Sequence, residues 1–201
     1  ADSRGKLRGI GIANCIEQSA GGPPEWAQIR FDPSGMVTLI MGTHNHGQGH
    51  ETIFRQMLAD MLGLEFEQVR LLQGDTDVVM AGTGTFGSRS SGVGGASIQA
   101  ASNKIIEKCK IVVSHYLEAA VEDIEFGDGT FTVAGTDKTM SLTDAAKNAQ
   151  SFMTAPPGFE VGLDEWAAWS PPAPTFPNGC HVAEVEIDPD TGVTEIVRYC
   201  M

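Results

Sequence analysis

Two glycine-rich stretches carry most of the polar side chains that could bind a ligand. Residues 42–50 read GTHNHGQGH, and residues 82–95 read GTGTFGSRSSGVGG. Each stretch is followed by apolar residues at helical spacing, so each loop leads into the start of a helix. Glycine lets a backbone come close to a ligand, and the N–H groups at a helix start carry a partial positive charge. The pattern therefore predicts an anion-binding site built from backbone N–H groups.

The first loop offers histidine and glutamine side chains. His44, His46 and His50 lie within seven positions, and neutral imidazoles are common metal ligands. No carboxylate or cysteine at suitable spacing completes a metal site, so we favour hydrogen bonding to a ligand, or capping of the following helix, over a bound metal. Gln48 stands between two glycines, where its amide can donate to and accept from a ligand. The alternative for Gln48 is a solvated loop amide.

The second loop combines hydroxyl groups with one cation. Arg89 has Ser88, Ser90 and Ser91 beside it, and a guanidinium suits bidentate binding of an anion; a surface salt bridge is the alternative. Residues 82–87 match G-x-G-x-x-G, but no acidic residue follows at the spacing of a dinucleotide-binding βαβ unit, and there is no P-loop motif. For either loop alone, glycines that only permit tight turns are the alternative.

Composition and charge narrow the class of protein. The chain has 201 residues, 41% of them hydrophobic, and a net charge of −13. No apolar run approaches the roughly 20 residues of a spanning helix, and the negative charge argues against nucleic acid or an anionic membrane as partner. The cysteines at positions 15, 109, 180 and 200 are too far apart for an iron–sulfur or zinc site. We expect reduced, mostly buried thiols in a cytoplasmic protein.

The elements that position the loops predict an α+β fold with mixed sheets, β-hairpins and two main helices. The predicted strands are residues 7–16, 26–31, 36–41, 69–72, 182–187 and 193–199, with a further hairpin over 121–133. The predicted helices are residues 53–62 and 98–116, with a short third helix starting at 141–144. The proline-rich residues 155–178 are predicted to be irregular.

The chain is also expected to be part of something larger. We interpret residues 1–201 as one domain-sized piece of a longer polypeptide, truncated at both ends, because the apolar segment 193–201 reads as a strand with no polar tail after it. An open strand edge exposes free N–H and C=O groups, so we expect the piece to self-associate.

Three motifs, in order along the chain, carry a resemblance to a known family. They are GTHNHGQGHET at residues 42–52, QGDTD at residues 73–77 and GTFGSRSS at residues 84–91, with VGG following at 93–95. The order and gaps resemble the molybdenum-binding large subunit of the xanthine dehydrogenase, aldehyde oxidase and carbon monoxide dehydrogenase family. The likeness covers most of the chain and is closest to the carbon monoxide dehydrogenase-like branch.

The resemblance implies a cofactor, a reaction and partners. The cofactor is molybdenum carried by molybdopterin cytosine dinucleotide. The reaction is oxidative hydroxylation of a small-molecule substrate, with water supplying the oxygen and electrons passing to iron–sulfur and flavin subunits or domains. Carbon monoxide, an aldehyde, a purine and an N-heterocycle all stay open as substrates.

The resemblance also assigns site residues. Gln48 would hydrogen-bond an oxo ligand or the pterin, and the Ser-Arg-Ser loop would meet the pterin and the dinucleotide phosphates. The residues implied to bind the cofactor are Gly47, Gln48, Gly49, His50, Gly87, Ser88, Arg89, Ser90 and Ser91.

The chain departs from the family in three respects: it lacks the family's upstream glycine-rich cofactor segment, its substrate-side loop and its catalytic glutamate. The family's catalytic glutamate lies in a Gly-x-Gly-Glu tetrapeptide, which this sequence lacks, so we expect the chain alone to be inactive. Two alternatives stay open. One is a non-catalytic binding or assembly module whose glycine loops are structural, and the other is a stand-alone nucleotide-binding domain.

Overall fold

A computed structural model describes residues 4–201, and contacts divide them into two compact units. One unit comprises residues 20–172, and the other comprises residues 4–19 together with residues 173–201. Both helices and antiparallel sheets are present, which confirms the predicted α+β class. That residues 1–201 are one piece truncated at both ends stays a prediction.

Three antiparallel strands form the smaller unit. β1 (Leu7–Ile16) and β10 (Thr194–Cys200) pair on either side of β9 (Asn178–Ile187), as the predicted strands require. The turn between β9 and β10 is closed by Asp188, whose carboxylate accepts hydrogen bonds from the backbone N–H groups of Thr191 and Asp190 at 3.1 and 2.9 Å. These bonds favour the ionised form and lower the pKa of Asp188.

A four-stranded mixed sheet forms the base of the larger unit, in the order β4-β3-β2-β8. β2 (Glu25–Phe31) and β3 (Val37–Met41) form the predicted hairpin, and β4 (Val69–Leu72) runs parallel to β3. β8 (Glu165–Trp169) pairs antiparallel with β2. The prediction that residues 155–178 are irregular is therefore wrong for β8. This strand forms because the edge of β2 supplies the backbone hydrogen-bond partners that it needs.

Two long helices pack against this sheet. α1 (His50–Leu62) contacts β4 and α2 (Gly95–Leu117), and α2 contacts β2 and β8. Their spacing of apolar residues places one stripe of each helix in the core. The fully buried residues of these stripes include Phe54, Leu58, Leu62, Ile98, Ala101, Ile105 and Cys109. The predicted stop of α1 at Gly63 is confirmed, since Gly63 has a left-handed backbone and its N–H bonds the carbonyl of Ala59.

A small sheet and a third helix complete the larger unit. β5 (Ile124–Gly127) and β6 (Thr130–Val133) form the predicted hairpin, to which β7 (Thr139–Ser141) adds a third strand that was not predicted. α3 (Leu142–Ala149) begins at its N-cap Ser141, whose hydroxyl accepts from the backbone N–H of Asp144 at 3.1 Å. Among residues 4–201, no helix is long and apolar enough to cross a membrane.

The four cysteines are free and differ in exposure. Cys109 is fully buried in α2, and burial raises the pKa of its thiol to about 12. Cys15, Cys180 and Cys200 are exposed on the three strands of the smaller unit. The expectation of mostly buried thiols is therefore wrong, because residues on both edge strands of this sheet are exposed along their whole length.

We expect thiol reagents to separate these two groups. Only a thiolate reacts, so at about pH 8 an aromatic disulfide reagent should modify three cysteines quickly and Cys109 only after unfolding in urea. Cys109→Ala should remove the slow phase and leave the fast phase unchanged. A fast fourth thiol in the folded chain would contradict the burial of Cys109.

Candidate cofactor-binding site

The two glycine-rich loops cross where Gly42 meets Gly82. A Cβ added to Gly42 would lie 2.4 Å from the Cα of Gly82, and one added to Gly82 would lie 2.3 Å from the Cα of Gly42. Neither position therefore has room for a side chain. The N–H of Gly84 donates to the carbonyl of Gly42 at 3.2 Å. The glycines of the G-x-G sequence thus allow two backbones to approach each other.

Thr85 joins the loops just beyond the crossing. Its hydroxyl accepts from the backbone N–H of His44 at 3.0 Å and donates to the carbonyl of His44 at 2.7 Å. The hydroxyl of Ser90 donates to the hydroxyl oxygen of Thr85 at 3.1 Å. The first loop, the second loop and the start of the following helical turn are thereby held as one assembly.

Both loops line a single cavity of about 390 Å³. The lining residues are Gln48, His50, Ile53 and Phe54 from the first loop and α1, and residues 85–91 from the second loop. Of the predicted site residues, all line this cavity except Gly47 and Gly49, which lie in the first loop on either side of Gln48. The structure brings the two predicted loops together, and the binding role of each residue stays a prediction.

Two helical segments begin at this cavity. α1 begins at His50 after Gly49, whose φ of 84° is left-handed, and a π-helical turn (Ser90–Gly94) precedes α2 after Arg89. Among residues 4–201, no N-cap side chain bonds the first N–H groups of either segment. The alternative that a histidine of the first loop caps α1 is wrong, because the N-cap is Gly49 and no side chain bonds to it as a cap. The first N–H groups of both segments remain donors for a ligand.

The residues around the cavity fit an anionic cofactor with a ring system. None of the described lining residues is Asp or Glu, so no carboxylate there repels a phosphate. A hydroxyl donor comes from Ser91, while Ile53 and Phe86 offer half-exposed apolar surface for a ring. Neutral donors and helix starts supply the attraction for an anion despite the negative charge of the whole chain.

Gln48 is held by three contacts within its own loop. Its Oε1 accepts from the backbone N–H of His46 at 2.5 Å. Its Nε2 donates to the carbonyl of His44 at 3.2 Å and lies 3.1 Å from Nε2 of His50. These contacts hold the exposed side chain in one orientation, and a contact with a ligand and a solvated loop amide both stay open.

His50 lies between two glutamine side chains. Its Nδ1 is 3.4 Å from Nε2 of Gln73, which also lies 2.5 Å from the hydroxyl of Thr43. His50 is 4% exposed, and this burial lowers its pKa below the usual value. The hydrogen bond with Gln73 raises the pKa, whereas the rings of His46 and His44 lower it further. The lowered pKa favours the neutral form of the imidazole. Gln73 belongs to the QGDTD motif, but only the structure places it at the site.

Arg89 forms a buried ion pair with Glu25 of β2. Its Nη1 lies 2.7 Å from Oε2 of Glu25 and also donates to Thr83, and its Nη2 donates to the carbonyl of Pro23 at 2.6 Å. Both side chains of the pair are fully buried. The guanidinium of Arg89 is thus already bound by acceptors of the protein. The sequence left two other roles open for it, an anion ligand and a salt bridge at the surface, and this ion pair is instead buried. Of the three guanidinium nitrogens of Arg89, only Nε lacks a hydrogen-bond partner among the described residues.

This pair anchors the second loop to the sheet. Besides Arg89, Oε1 of Glu25 accepts from the backbone N–H of Trp26 at 3.0 Å, and the carbonyl of Glu25 accepts from the hydroxyl of Ser97 in α2 at 2.8 Å. The loop, the first strand of the hairpin and α2 therefore meet at one residue. We infer that Arg89 holds the second loop in place through Glu25 rather than binding a ligand itself.

Asp75 and Asp77 of the QGDTD motif lie in a turn. The carboxylate of Asp75 accepts from the backbone N–H of Asp77 at 3.0 Å, and the carbonyl of Asp75 accepts from the backbone N–H of Val79 at 2.8 Å. Within the described part of the chain, no group of three His, Cys, Asp or Glu residues could hold a metal ion.

Fold and site together define a domain of α+β class whose two glycine-rich loops enclose a cavity that fits an anionic cofactor. The sequence model of the molybdopterin cofactor-binding domain matches residues 1–201. The chain belongs to this family.

Individual relatives agree with this assignment. The chain is 35% identical to the carbon monoxide dehydrogenase large chain of Afipia carboxidovorans over 99% of its own length. It is 34% identical to the nicotine 6-hydroxylase large subunit of Paenarthrobacter nicotinovorans over 98% of its length. It spans 26% of the length of each of these two relatives.

A solved structure supports the fold. The crystal structure of Cu,Mo-CO dehydrogenase in its carbon monoxide reduced state superposes with a TM-score of 0.89 at 33% identity. The match covers 98% of this chain and 26% of that one. The predicted family and its molybdenum cofactor-binding fold are confirmed.

Substituting Gly42 should disrupt the loop crossing. We expect Gly42→Ala to lower the free energy of unfolding by about 3 kcal/mol, the upper range for adding a methyl group to close-packed atoms. Gly127→Ala is the matched control, because a Cβ there meets no described atom within 4 Å, and its effect should stay within about 0.5 kcal/mol. Urea unfolding followed by tryptophan fluorescence measures both. Equal effects would contradict the crossing.

Removing the buried cation should cost more than removing an exposed one. We expect Arg89→Met to lower the free energy of unfolding by about 3–5 kcal/mol, because Glu25 is left buried without its partner. Lys147→Met is the control, since Lys147 pairs with Asp144 on the surface and such pairs contribute little. If both variants unfold at the same urea concentration, the anchoring role of Arg89 is wrong.

Proposed function

We propose that this chain is the cofactor-binding part of the large subunit of a molybdenum hydroxylase. It would hold the molybdenum cofactor as molybdopterin cytosine dinucleotide. The meeting of two glycine-rich loops at one cavity, where two helical segments begin without side-chain caps, supports the proposal most directly. Each loop alone could be structural, whereas two loops held together by Thr85 create a site.

The two sides of the cavity would have different tasks. Gln48 and His50 would face the pterin, with Gly47 and Gly49 giving the loop its course. On the opposite side, the N–H groups at the start of the π-helical turn and the hydroxyl of Ser91 would bind the phosphates. Residues assigned to that side are Gly87, Ser88, Ser90 and Ser91, with Arg89 holding their loop against Glu25.

Binding and orientation are the whole contribution of these residues. When bound, the cofactor supplies a two-electron oxidation that inserts oxygen from water into the substrate. The base for that reaction, a glutamate in Gly-x-Gly-Glu, is not in this sequence, so we expect the chain alone to lack activity. Electrons would leave to iron–sulfur and flavin subunits or domains. Relatives named as a large chain and a large subunit support an assembly of several polypeptides.

Substrate choice would lie outside this chain. The relatives at 35% and 34% identity are named for carbon monoxide and nicotine, two molecules with no shared chemistry. What they share with this chain is therefore the cofactor site rather than a substrate pocket. We place the protein in the cytoplasm, where its exposed thiols would stay reduced.

Metal and pterin analysis tests this function. Full-length protein, expressed in its native host, should contain molybdenum and a pterin carrying a cytosine nucleotide, measured by elemental analysis and mass spectrometry. Gln48→Ala should lower the pterin content of the full-length protein about tenfold, the effect of one lost hydrogen bond, while Gln99→Ala on the exposed face of α2 should not. Thermal unfolding should change little in either variant.

Three outcomes would contradict the proposal. Absence of both molybdenum and pterin would remove the enzyme interpretation and favour a non-catalytic module. Tight binding of an ordinary dinucleotide without molybdenum would indicate a stand-alone nucleotide-binding domain. Substrate turnover by purified residues 1–201 would show that the catalytic base lies within this chain.

A further inference from the structure

One edge of the smaller sheet is the backbone of β1, and the hydrogen bonds of the described residues leave that edge open. Ser19 and Thr175 exchange two backbone hydrogen bonds of 2.8 Å, which fixes the alternation of the ladder between β1 and β9. Odd-numbered residues of β1 therefore bond to β9, and the N–H and C=O groups of the even-numbered residues point to the opposite edge. The residues with outward backbone groups are Arg8, Ile10, Ile12, Asn14 and Ile16.

The other sheet edges are short, blocked or interrupted. Of the six edge strands in residues 4–201, β4, β5 and β7 have only three or four residues each. β8 has five, and Nζ of Lys104 donates to its carbonyl at Trp166 at 2.8 Å. β10 shifts its register between Ile196 and Arg198, which breaks the spacing of its outward groups. Such devices keep an edge from pairing. Among these six strands, only β1 offers a long and regular edge, since its ten residues pair with β9 without a shift.

The side chains of β1 describe the kind of strand that fits this edge. Ile10, Ile12 and Ile16 lie on one face of the sheet and are 65%, 68% and 71% exposed. Gly9 and Gly11 lie on the other face, and a Cβ added to Gly11 meets no described atom within 4 Å. A strand beside β1 therefore has room for large aromatic side chains across from the glycines. Aliphatic side chains across from the isoleucines would cover their exposed apolar surface.

We propose that β1 is the docking edge for a strand from the remainder of the large subunit. That strand would place aromatic side chains across from Gly9 and Gly11 and aliphatic side chains across from Ile10 and Ile12. The proposal rests on the function proposed above, because it needs the longer polypeptide. The chain spans 26% of the length of two relatives, so a subunit of their length has ample chain to supply such a strand.

A strand of the same polypeptide suits this edge better than a second copy of the chain does. Each copy carries a net charge of −13, so two copies repel each other. A strand joined to β1 through the polypeptide has a high effective concentration, in the millimolar range for a short flexible linker. The outward groups of β1 then gain hydrogen bonds without the entropy cost of bringing two molecules together.

Hydrogen exchange of single amides measures this pairing. In full-length wild type, the amides of Ile10 and Ile12 should exchange within about tenfold of those of Gly9 and Gly11, because both sets are then hydrogen-bonded. In residues 1–201, kept dilute and monomeric, Ile10 and Ile12 should exchange about 100-fold faster than Gly11. Mass spectrometry with electron-transfer fragmentation resolves these amides. If the same 100-fold difference persists in the full-length protein, the proposal is overturned.

Proline substitutions separate the two edges of the sheet. Ile12→Pro removes an N–H that β9 does not use, so the Tm of residues 1–201 should change by less than about 1 °C. The first thermal transition of the full-length variant should fall by about 4 °C, because the docked strand loses a hydrogen bond. Ile196→Pro, opposite Val185 on the outer side of β10, is the matched control and should shift neither form. A fall caused by Ile196→Pro and not by Ile12→Pro would assign the strand to β10 and overturn the proposal.

The room across from Gly11 is tested by side-chain size. Gly11→Ile should leave the Tm of residues 1–201 unchanged or raise it, because isoleucine favours strands and the position is open. In the full-length protein it should lower the first transition by about 4 °C, because the new side chain would collide with the aromatic one. An unchanged full-length Tm would overturn the aromatic assignment.

The outcomes separate this proposal from the function on which it rests. A full-length protein without molybdenum and pterin would contradict the proposed function, while the amides of Ile10 and Ile12 would still decide whether the edge is paired. A loaded full-length protein with fast exchange at these two positions would overturn the docking edge alone. Slow exchange that disappears when the full-length protein is diluted would assign the edge to a second copy, which overturns the proposed source of the strand.

Discussion

Gly42 and Gly82 allow two backbones to pass with no side chain between them, and the site depends on that contact. Because the loops touch there, Thr85 can reach both backbone groups of His44, and the helical segments that follow the loops start at one cavity. The first loop follows β3, which lies between β2 and β4 in the sheet. This pairing brings the first loop to the crossing. A methyl group at the crossing would push the two loops apart and so separate the residues that line the cavity.

The proposed site would attract an anion with neutral groups. The chain has a net charge of −13, and its one cation at the cavity is neutralised by Glu25. Attraction is left to peptide N–H groups, hydroxyls and amides, whose directions are fixed by the backbone and by bonds such as that between Gln48 and His46. Such groups hold a ligand in one orientation better than a long flexible cation does, because little side-chain entropy is lost on binding.

Local patterns in the sequence predicted local structure well. The stop of α1 at Gly63, the cap of α3 at Ser141 and the hairpin turns all depend on residues a few positions apart. The failures involve distant partners. β8 exists because β2 offers an edge, and the role of Arg89 depends on Glu25, 64 positions away. Gln73 belongs to the QGDTD motif, yet nothing in the sequence showed that it contacts His50.

The order of strands has a consequence for synthesis on the ribosome. β1 is made first, but its partner β9 begins roughly 160 residues later, with Asn178 opposite Ile16. Translation adds roughly 5–20 residues per second, so β1 waits on the order of ten seconds while the whole of residues 20–172 emerges. The larger unit can therefore fold while the smaller one is still incomplete. A nascent chain stalled before residue 178 would carry the apolar strand β1 without its partner β9, and an apolar strand in that state is the kind of segment that chaperones bind.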